Sequence, residues 1–87
     1  MNHAGPLADR VVLITGAASG IGAATAREVA TQGGIPVLVD CGAAPLAATA
    51  ASCGPSALYF VADVSQLSLM EDVVVQVITA LGRIDVV

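Results

Sequence analysis

The sequence predicts an α/β fold built around a parallel sheet. Four short apolar runs alternate with three segments of helical character, and this alternation is typical of strands joined by helical crossovers. A glycine-rich turn separates the first apolar run from the first helical segment. Apolar residues make up 56% of the chain and charged residues only 11%, a balance that fits strands buried on both faces. With 87 residues, one domain is the upper limit.

The first two strands and the helix between them are the clearest elements. A strand is expected over 10–15, followed by a helix over 20–32. That helix should end at Gly33, because glycine readily takes the left-handed conformation that terminates helices. A second strand is expected over 35–39, and it leads directly into Asp40.

The second helix and third strand form the next unit. Pro45 suits the first position of a helix, where its missing N–H costs nothing. We therefore expect a short helix over 45–53 that ends at Gly54, and a strand over 57–62. Tyr59 lies within this apolar strand, which indicates a role in the core.

The third helix is predicted from a start signal, an apolar stripe and a stop signal. Ser68 and Glu71 have the spacing of a capping box, and Gly82 marks the end. Residues 84–87 begin a fourth strand that is cut short. Apolar residues recur at helical spacing and predict packing against the sheet: Met70, Val73, Val74, Val77, Ile78 and Leu81.

The order of the strands follows from crossover handedness. If strands two and three add successively on one side of strand one, the first two helices cover one face. Strand four then returns to the other side, and the third helix covers the opposite face. The expected sheet has strand order 3-2-1-4, truncated after the start of strand four, with a crevice between strands one and four. A truncated sheet leaves an edge uncovered, which predicts aggregation or dependence on a partner.

The turn after the first strand has the spacing Gly16-x-x-x-Gly20-x-Gly22. Gly16 would make the turn, Gly20 would let the backbone approach a ligand, and Gly22 would allow close packing. The helix that follows has unpaired amides and a positive dipole end, which together bind phosphate. Ser19 could cap this helix or bind the ligand. The alternative is a tight turn that uses glycine for steric reasons alone.

Two strand-terminal acids narrow these alternatives. Asp40 lies 20 residues beyond Gly20, where dinucleotide-binding folds have a carboxylate that binds a ribose hydroxyl. Asp63 and Val64 follow the third strand. Each acid taken alone could be a solvated strand end or a helix cap. The glycine turn and both acids occurring in register favour a dinucleotide site.

Together with residues 82–87, these motifs resemble the N-terminal part of the short-chain dehydrogenase/reductase family. The resemblance implies a Rossmann fold that binds NAD(H) or NADP(H), with Ser19 and Ile21 near the phosphates and ribose. It also implies Asp63 and Val64 beside the adenine ring. Cys41 follows Asp40 and would border the adenosine pocket. The candidate cofactor-binding residues are Gly16, Ser19, Gly20, Ile21, Gly22, Asp40, Cys41, Asp63 and Val64.

The catalytic motifs of that family are missing from this sequence. The family uses a Tyr-x-x-x-Lys pair with a serine, and an asparagine after the fourth strand. This chain has no lysine, and Asp63 stands four residues after its only tyrosine, Tyr59. We therefore assign no catalytic residue. The prediction is a partial dinucleotide-binding domain over 1–87 that lacks the substrate and catalytic part and is inactive by itself.

The expected cofactor is NAD rather than NADP. A carboxylate at Asp40 accepts hydrogen bonds from ribose hydroxyls and would repel a 2′-phosphate. NADP-binding proteins usually have an arginine or lysine nearby, and neither 16–22 nor 41–44 contains one.

Charge and composition exclude several other classes. The net charge is −4 without a basic run, and there are only two aromatic residues, which argues against nucleic acid and anionic membranes. No apolar run approaches the length of a membrane span, and the two cysteines match no metal spacing. We expect a cytoplasmic or organelle-matrix protein without a metal. The complete protein would act on a small alcohol or carbonyl compound and form a homo-oligomer.

Two other functions remain open. The absence of lysine also fits a non-catalytic binding or interaction module. S-adenosylmethionine-dependent methyltransferases likewise combine a glycine-rich first loop with an acidic end to strand two. A P-loop NTPase is excluded, because the Gly-Lys-Ser/Thr sequence is missing.

Overall fold

The computed structural model of the chain describes residues 5–85. Strands and helices alternate over this range, as expected from the sequence. The elements are β1 (Val11–Thr15), α1 (Gly20–Thr31), β2 (Ile35–Asp40), α2 (Ala43–Cys53), β3 (Leu58–Val61) and α3 (Leu67–Leu81).

The three strands form one parallel sheet in the order β1-β2-β3. Val11 is aligned with Ile35 at one end, and Asp40 with Val61 at the other. This order confirms the 3-2-1 part of the predicted topology. All strands run in the same direction, so their carboxyl ends lie at the same end of the sheet.

The predicted fourth strand is described only at its first two residues. Ile84 and Asp85 are not in a strand, and residues 86–87 lie outside the described residues. The Asp85 N–H donates to the Val11 carbonyl at 2.9 Å, and an Asp85 carboxylate oxygen accepts from the Val11 N–H at 2.8 Å. Both main-chain groups of Val11 are therefore used on the side of β1 that faces away from β2. This is the side on which the fourth strand is expected.

Buried side chains form two clusters, one on each face of the sheet. On the first face, alternate strand residues pack against α1 and α2: Val12, Ile14 and Leu38 contact Ala26, Val29, Leu46 and Ala50. On the second face, the intervening residues pack against α3: Val11, Leu13, Val37 and Val39 contact Val73 and Val77. Because successive strand side chains point to opposite faces of the sheet, helices cover β1 and β2 on both faces. The prediction that the first two helices lie on one face and the third on the other is confirmed.

The second helix begins two residues earlier than predicted. Its N-cap is Gly42, and it starts at Ala43. Pro45 therefore occupies the third helical position rather than the first. This position still lies in the first turn, where no intrahelical acceptor requires the missing N–H.

The predicted capping box at Ser68 is wrong. The N-cap of α3 is Gln66, its side chain makes no capping hydrogen bond, and the helix starts at Leu67. The carboxylate of Asp63 accepts hydrogen bonds from the N–H and hydroxyl of Ser65, and the Gln66 N–H donates to the Asp63 carbonyl. This compact turn redirects the chain before Ser68 is reached.

Two apolar predictions are only partly correct. Tyr59 lies in β3 as expected but is 47% exposed, because β3 is an edge strand whose first face is incompletely covered. In the stripe along α3, Val73 and Val77 are buried, whereas Val74 and Ile78 are 38% and 44% exposed. The described chain therefore covers only part of this helix.

Helix ends at glycine are confirmed. Gly33 follows α1 with φ +86°, and Gly82 ends α3 with φ +81°. Both values lie in the left-handed region that glycine tolerates. Within residues 5–85, no helix has the length and apolar character needed to cross a membrane.

Candidate dinucleotide-binding site

The turn between β1 and α1 contains two glycines in the left-handed region. Gly16 has φ +65° and Gly20 has φ +59°. A Cβ added at either position would meet open space, so the backbone conformation, rather than crowding, requires glycine. The open space also leaves the main chain of the turn accessible to a ligand.

Gly22 is required for a different reason. It lies in the first turn of α1, and a Cβ at this position would overlap the carbonyl of Gly16. The absent side chain therefore lets the start of the helix pack directly on the end of the strand, as the sequence predicts. This contact closes the glycine turn into a compact loop.

The start of α1 presents main-chain donors to that loop. Ser19 is the N-cap with extended backbone, and its hydroxyl makes no capping hydrogen bond. The first amides of a helix lack intrahelical acceptors and stand at the positive end of its dipole. Because Ser19 is exposed and does not cap the helix, its hydroxyl can bind a ligand.

The carboxylate of Asp40 is hydrogen-bonded directly to the glycine turn. One oxygen accepts from the Ala18 N–H at 3.0 Å, and the other accepts from the Cys41 N–H at 2.7 Å. The hydrogen bond from Ala18 is the main cause that lowers the pKa of Asp40, and the bond from Cys41 adds to it. The structure thus brings together the turn and the acid that are 22 residues apart.

Asp63 and Val64 also lie at the carboxyl ends of the strands. The Ala62 N–H donates to the main-chain carbonyl of Asp40 at 2.9 Å, which holds the end of β3 beside the end of β2. Asp63 and Val64 are both exposed. Hydrogen bonds from Ser65 lower the pKa of the Asp63 carboxyl, so this group stays ionised near neutral pH.

The rim of the site combines apolar surface with an exposed thiol. Ile21 is 87% exposed at the start of α1, and Cys41 is a free, exposed cysteine beside Asp40. A cavity of about 390 Å³ runs from the outer edge of β1 to the start of α1. Its lining residues are Val12, Leu13, Ile14, Thr15, Ile21, Gly22 and Thr25.

The sequence does not predict the contact between Ala18 and Thr49 in this region. Both main-chain polar groups of Ala18 have a partner: its N–H donates to Asp40, and its carbonyl lies 3.4 Å from the hydroxyl of Thr49. Thr49 is 5% exposed and lies in α2. Its only signal in the sequence is a hydroxyl within an alanine-rich helix, and this signal does not identify a partner.

Comparisons with known proteins agree with this architecture. The family model described as short chain dehydrogenase matches residues 10–87. The chain is 41% identical over 81 residues to the (2S)-[(R)-hydroxy(phenyl)methyl]succinyl-CoA dehydrogenase subunit BbsD of Thauera aromatica, covering 90% of this chain and 33% of that protein. The chain therefore spans about a third of the length of this curated relative.

Solved structures give the same result. An NAD⁺-bound xylitol dehydrogenase superimposes with a TM-score of 0.87 at 32% identity, covering 92% of this chain and 32% of that one. A metagenomic short-chain oxidoreductase in complex with NADP superimposes with a TM-score of 0.86 at 32% identity, covering 92% and 38%.

The family-model match extends over the glycine turn, both strand-terminal acids and the segment after α3. The comparisons favour the dehydrogenase hypothesis over the methyltransferase one. By sequence and by fold, the chain belongs to the short-chain dehydrogenase family of oxidoreductases and has the Rossmann-like architecture of that family.

Proposed function

We propose that the chain is the NAD(H)-binding N-terminal part of a short-chain alcohol or carbonyl oxidoreductase. The observation that supports this most directly is the hydrogen bond between Asp40 and the Ala18 N–H. This bond holds the carboxylate that would bind the ribose next to the turn whose amides would bind the diphosphate. In this arrangement the acid would bind the ribose of an adenosine diphosphate, and the helix N-terminus would bind its phosphates.

The diphosphate would lie against Gly20, Ile21 and Gly22. The open space around Gly20 lets the main chain approach the phosphates, and the Ser19 hydroxyl is available as a further donor. When bound, NAD⁺ supplies the hydride acceptor. The residues of this chain would bind and orient it, and the exposed side chain of Ile21 would cover one side of the bound cofactor.

The cofactor preference would follow from the charge of Asp40. Because the Ala18 and Cys41 amides lower its pKa, the carboxylate is ionised at neutral pH and repels a 2′-phosphate. Within residues 5–85, none of the three arginines pairs with Asp40 to offset this charge. Arg10 and Arg83 pair with Asp85 beside the beginning of β1, and Arg27 is exposed on α1 near Cys53.

The chemistry of hydride transfer requires groups that this sequence does not contain. It has no lysine, and Tyr59 lies within edge strand β3, in register with Leu38 of β2. We propose that the 87 residues alone are inactive. The complete protein would take a small alcohol or carbonyl substrate and assemble as a homo-oligomer. The cytoplasmic or organelle-matrix location stays a prediction.

Replacement of Asp40 tests the proposed function. Hydrogen bonds to a charged group contribute about 1.5–3 kcal/mol, so Asp40→Ala should weaken NADH binding by about 10- to 150-fold. NADPH binding should weaken less or improve, because the repulsion is removed. Titration calorimetry with both nucleotides measures the two affinities. Asp72→Ala removes an exposed carboxylate on α3 and should leave both unchanged. An unaltered NADH/NADPH preference in Asp40→Ala would contradict the assignment of Asp40.

A second candidate is a non-catalytic binding module. The absence of lysine favours it for these 87 residues. The same titration separates this candidate from the first, because a module for another ligand would bind neither NADH nor NADPH. S-adenosylmethionine in a parallel titration tests the methyltransferase alternative.

A further inference from the structure

We propose that Thr49 is a positioning residue for the nucleotide-binding turn, acting through the carbonyl of Ala18. This inference rests on the proposed NAD(H) site and extends it into α2, which has no direct part in the site described above. Asp40 would fix the N–H of Ala18, and Thr49 would fix its carbonyl.

The geometry of Ala18 is the basis of the proposal. Its N–H donates to Asp40 at 3.0 Å, and its carbonyl lies 3.4 Å from the Thr49 hydroxyl. The hydrogen bond from Ala18 to Asp40 and the longer contact from Thr49 connect β2 and α2 to one residue of the turn. α2 also packs against the same region, since Leu46 of this helix and Ala17 of the turn are both fully buried in one cluster.

The position of Ala18 makes its orientation important for binding. It lies between the two left-handed glycines, Gly16 and Gly20, and directly before the N-cap Ser19. Glycines allow the backbone many conformations, so the turn needs contacts from outside to hold one of them. A change in the backbone dihedral angles of Ala18 would move the Ser19 hydroxyl and the first amides of α1, which are the proposed phosphate ligands.

A purely local role for the Thr49 hydroxyl is the main alternative. The hydroxyl also contacts the carbonyl of Pro45 at 3.2 Å, four residues earlier, which is a common bond for threonine in helices. Thr31 and Thr79 make the same local bond, to Arg27 and Val75 respectively, but both are exposed. Thr49 differs because it is buried and because its hydroxyl also reaches a carbonyl 31 residues away.

Removal of the hydroxyl should therefore weaken nucleotide binding. Thr49→Val keeps the shape of the side chain and deletes the donor. A neutral hydrogen bond contributes modestly, so we expect the Kd for NADH to rise by about 2- to 12-fold. Thr49→Ser should restore binding to within about 2-fold of the wild type, because it returns the hydroxyl that a neutral hydrogen bond needs. Thr79→Val removes a local bond only and serves as the matched control.

Three measurements distinguish the possible outcomes: calorimetric titration with NADH, thermal unfolding, and NMR hydrogen exchange of the Ala18 amide without nucleotide. Positioning predicts faster Ala18 exchange and weaker NADH binding in Thr49→Val, with rescue of both in Thr49→Ser and no effect in Thr79→Val. Thr49→Ala, which suits the alanine-rich helix, gives a second deletion of the hydroxyl if the valine variant does not fold.

A lower melting temperature in Thr49→Val with an unchanged Kd for NADH would overturn the proposal, because the hydroxyl would then serve the fold alone. Failure of the wild-type protein to bind NADH would overturn the proposed function instead. In that case the exchange rate of Ala18 still tests the contact with Thr49, since it requires no ligand.

Discussion

At the scale of single residues, the glycine turn is explained by two separate physical demands. Gly16 and Gly20 adopt left-handed backbone conformations, whereas Gly22 has no room for a Cβ. A steric turn without a ligand would also use such glycines. The accessible main chain at Gly20 and the adjacent Asp40 carboxylate are what support a site rather than a turn alone.

Gly20→Ala should lower the free energy of unfolding, because an alanine in the left-handed region costs about 1–2 kcal/mol. Gly42→Ala is the matched control: Gly42 has φ −92°, and an added Cβ would make ordinary contacts at 3.7 Å with Pro45. Urea denaturation of both variants measures the difference. Equal stability of the two variants would show that the turn relaxes around the new side chain.

At the scale of elements, the segment after α3 is tied to β1 by one side chain. Asp85 accepts from the Val11 N–H at 2.8 Å and from Arg83 at 2.6 Å, and it lies 3.5 Å from Arg10. These contacts lower the pKa of Asp85, with the hydrogen bond from Arg83 as the main cause and the Val11 N–H next. The carboxylate thus joins the end of one βα unit to the beginning of the first strand.

The lowered pKa gives a stability effect with a defined sign. Asp85 binds protons less readily in the folded chain, so its contribution is complete above the ordinary aspartate pKa of about 4 and is lost as the pH falls through the lower folded-state value. Asp85→Asn should therefore destabilise the protein at pH 7 and have a smaller effect at strongly acidic pH.

Denaturant unfolding as a function of pH measures this dependence. Asp72→Asn, at an exposed position on α3, should leave the pH profile unchanged. A wild-type profile that Asp85→Asn does not flatten would indicate that Asp40 or Asp63, whose pKa values are also lowered, accounts for the acid sensitivity.

At the scale of the whole molecule, the described chain leaves apolar surface uncovered. On α3, Leu67 is 73% exposed and Val75 is 63% exposed, and together with Met70 and Val74 they line a shallow groove of about 370 Å³. Among the described residues, the outer edge of β1 beyond Val11 has no neighbouring strand. The groove lies on α3, the helix that packs on the second face of the sheet, and the edge lies at β1.

We expect the 87-residue chain to self-associate as its concentration rises, because exposed apolar patches and strand edges pair with other chains. Leu67→Gln combined with Val75→Lys should shift sedimentation profiles toward the monomer. Thr31→Gln, which changes an exposed position on α1, is the control. No change in association with the double variant would contradict a role for the groove on α3 and would indicate association through the edge of β1.

The sequence by itself determined the order and type of the elements, because helix and strand periodicity and glycine stops are local properties. Crossover handedness then predicted the neighbours of β1, and the strand-terminal position of Asp40 predicted its place near the turn. The first residues of helices were less predictable. The turn in which Asp63 accepts from Ser65 precedes α3, which begins at Leu67 and not after a cap at Ser68.

The sequence predicted that Asp40 lies near the turn, but only the tertiary structure decided which individual groups form hydrogen bonds. The bonds of Ala18 to Asp40 and Thr49 join residues 22 and 31 positions apart, and the Asp85–Val11 bond spans 74 positions. Such contacts depend on how helices pack on the sheet, a balance of many weak apolar interactions that no local pattern encodes. The same packing leaves Tyr59, Val74 and Ile78 partly exposed, although the sequence predicts that they pack in the core.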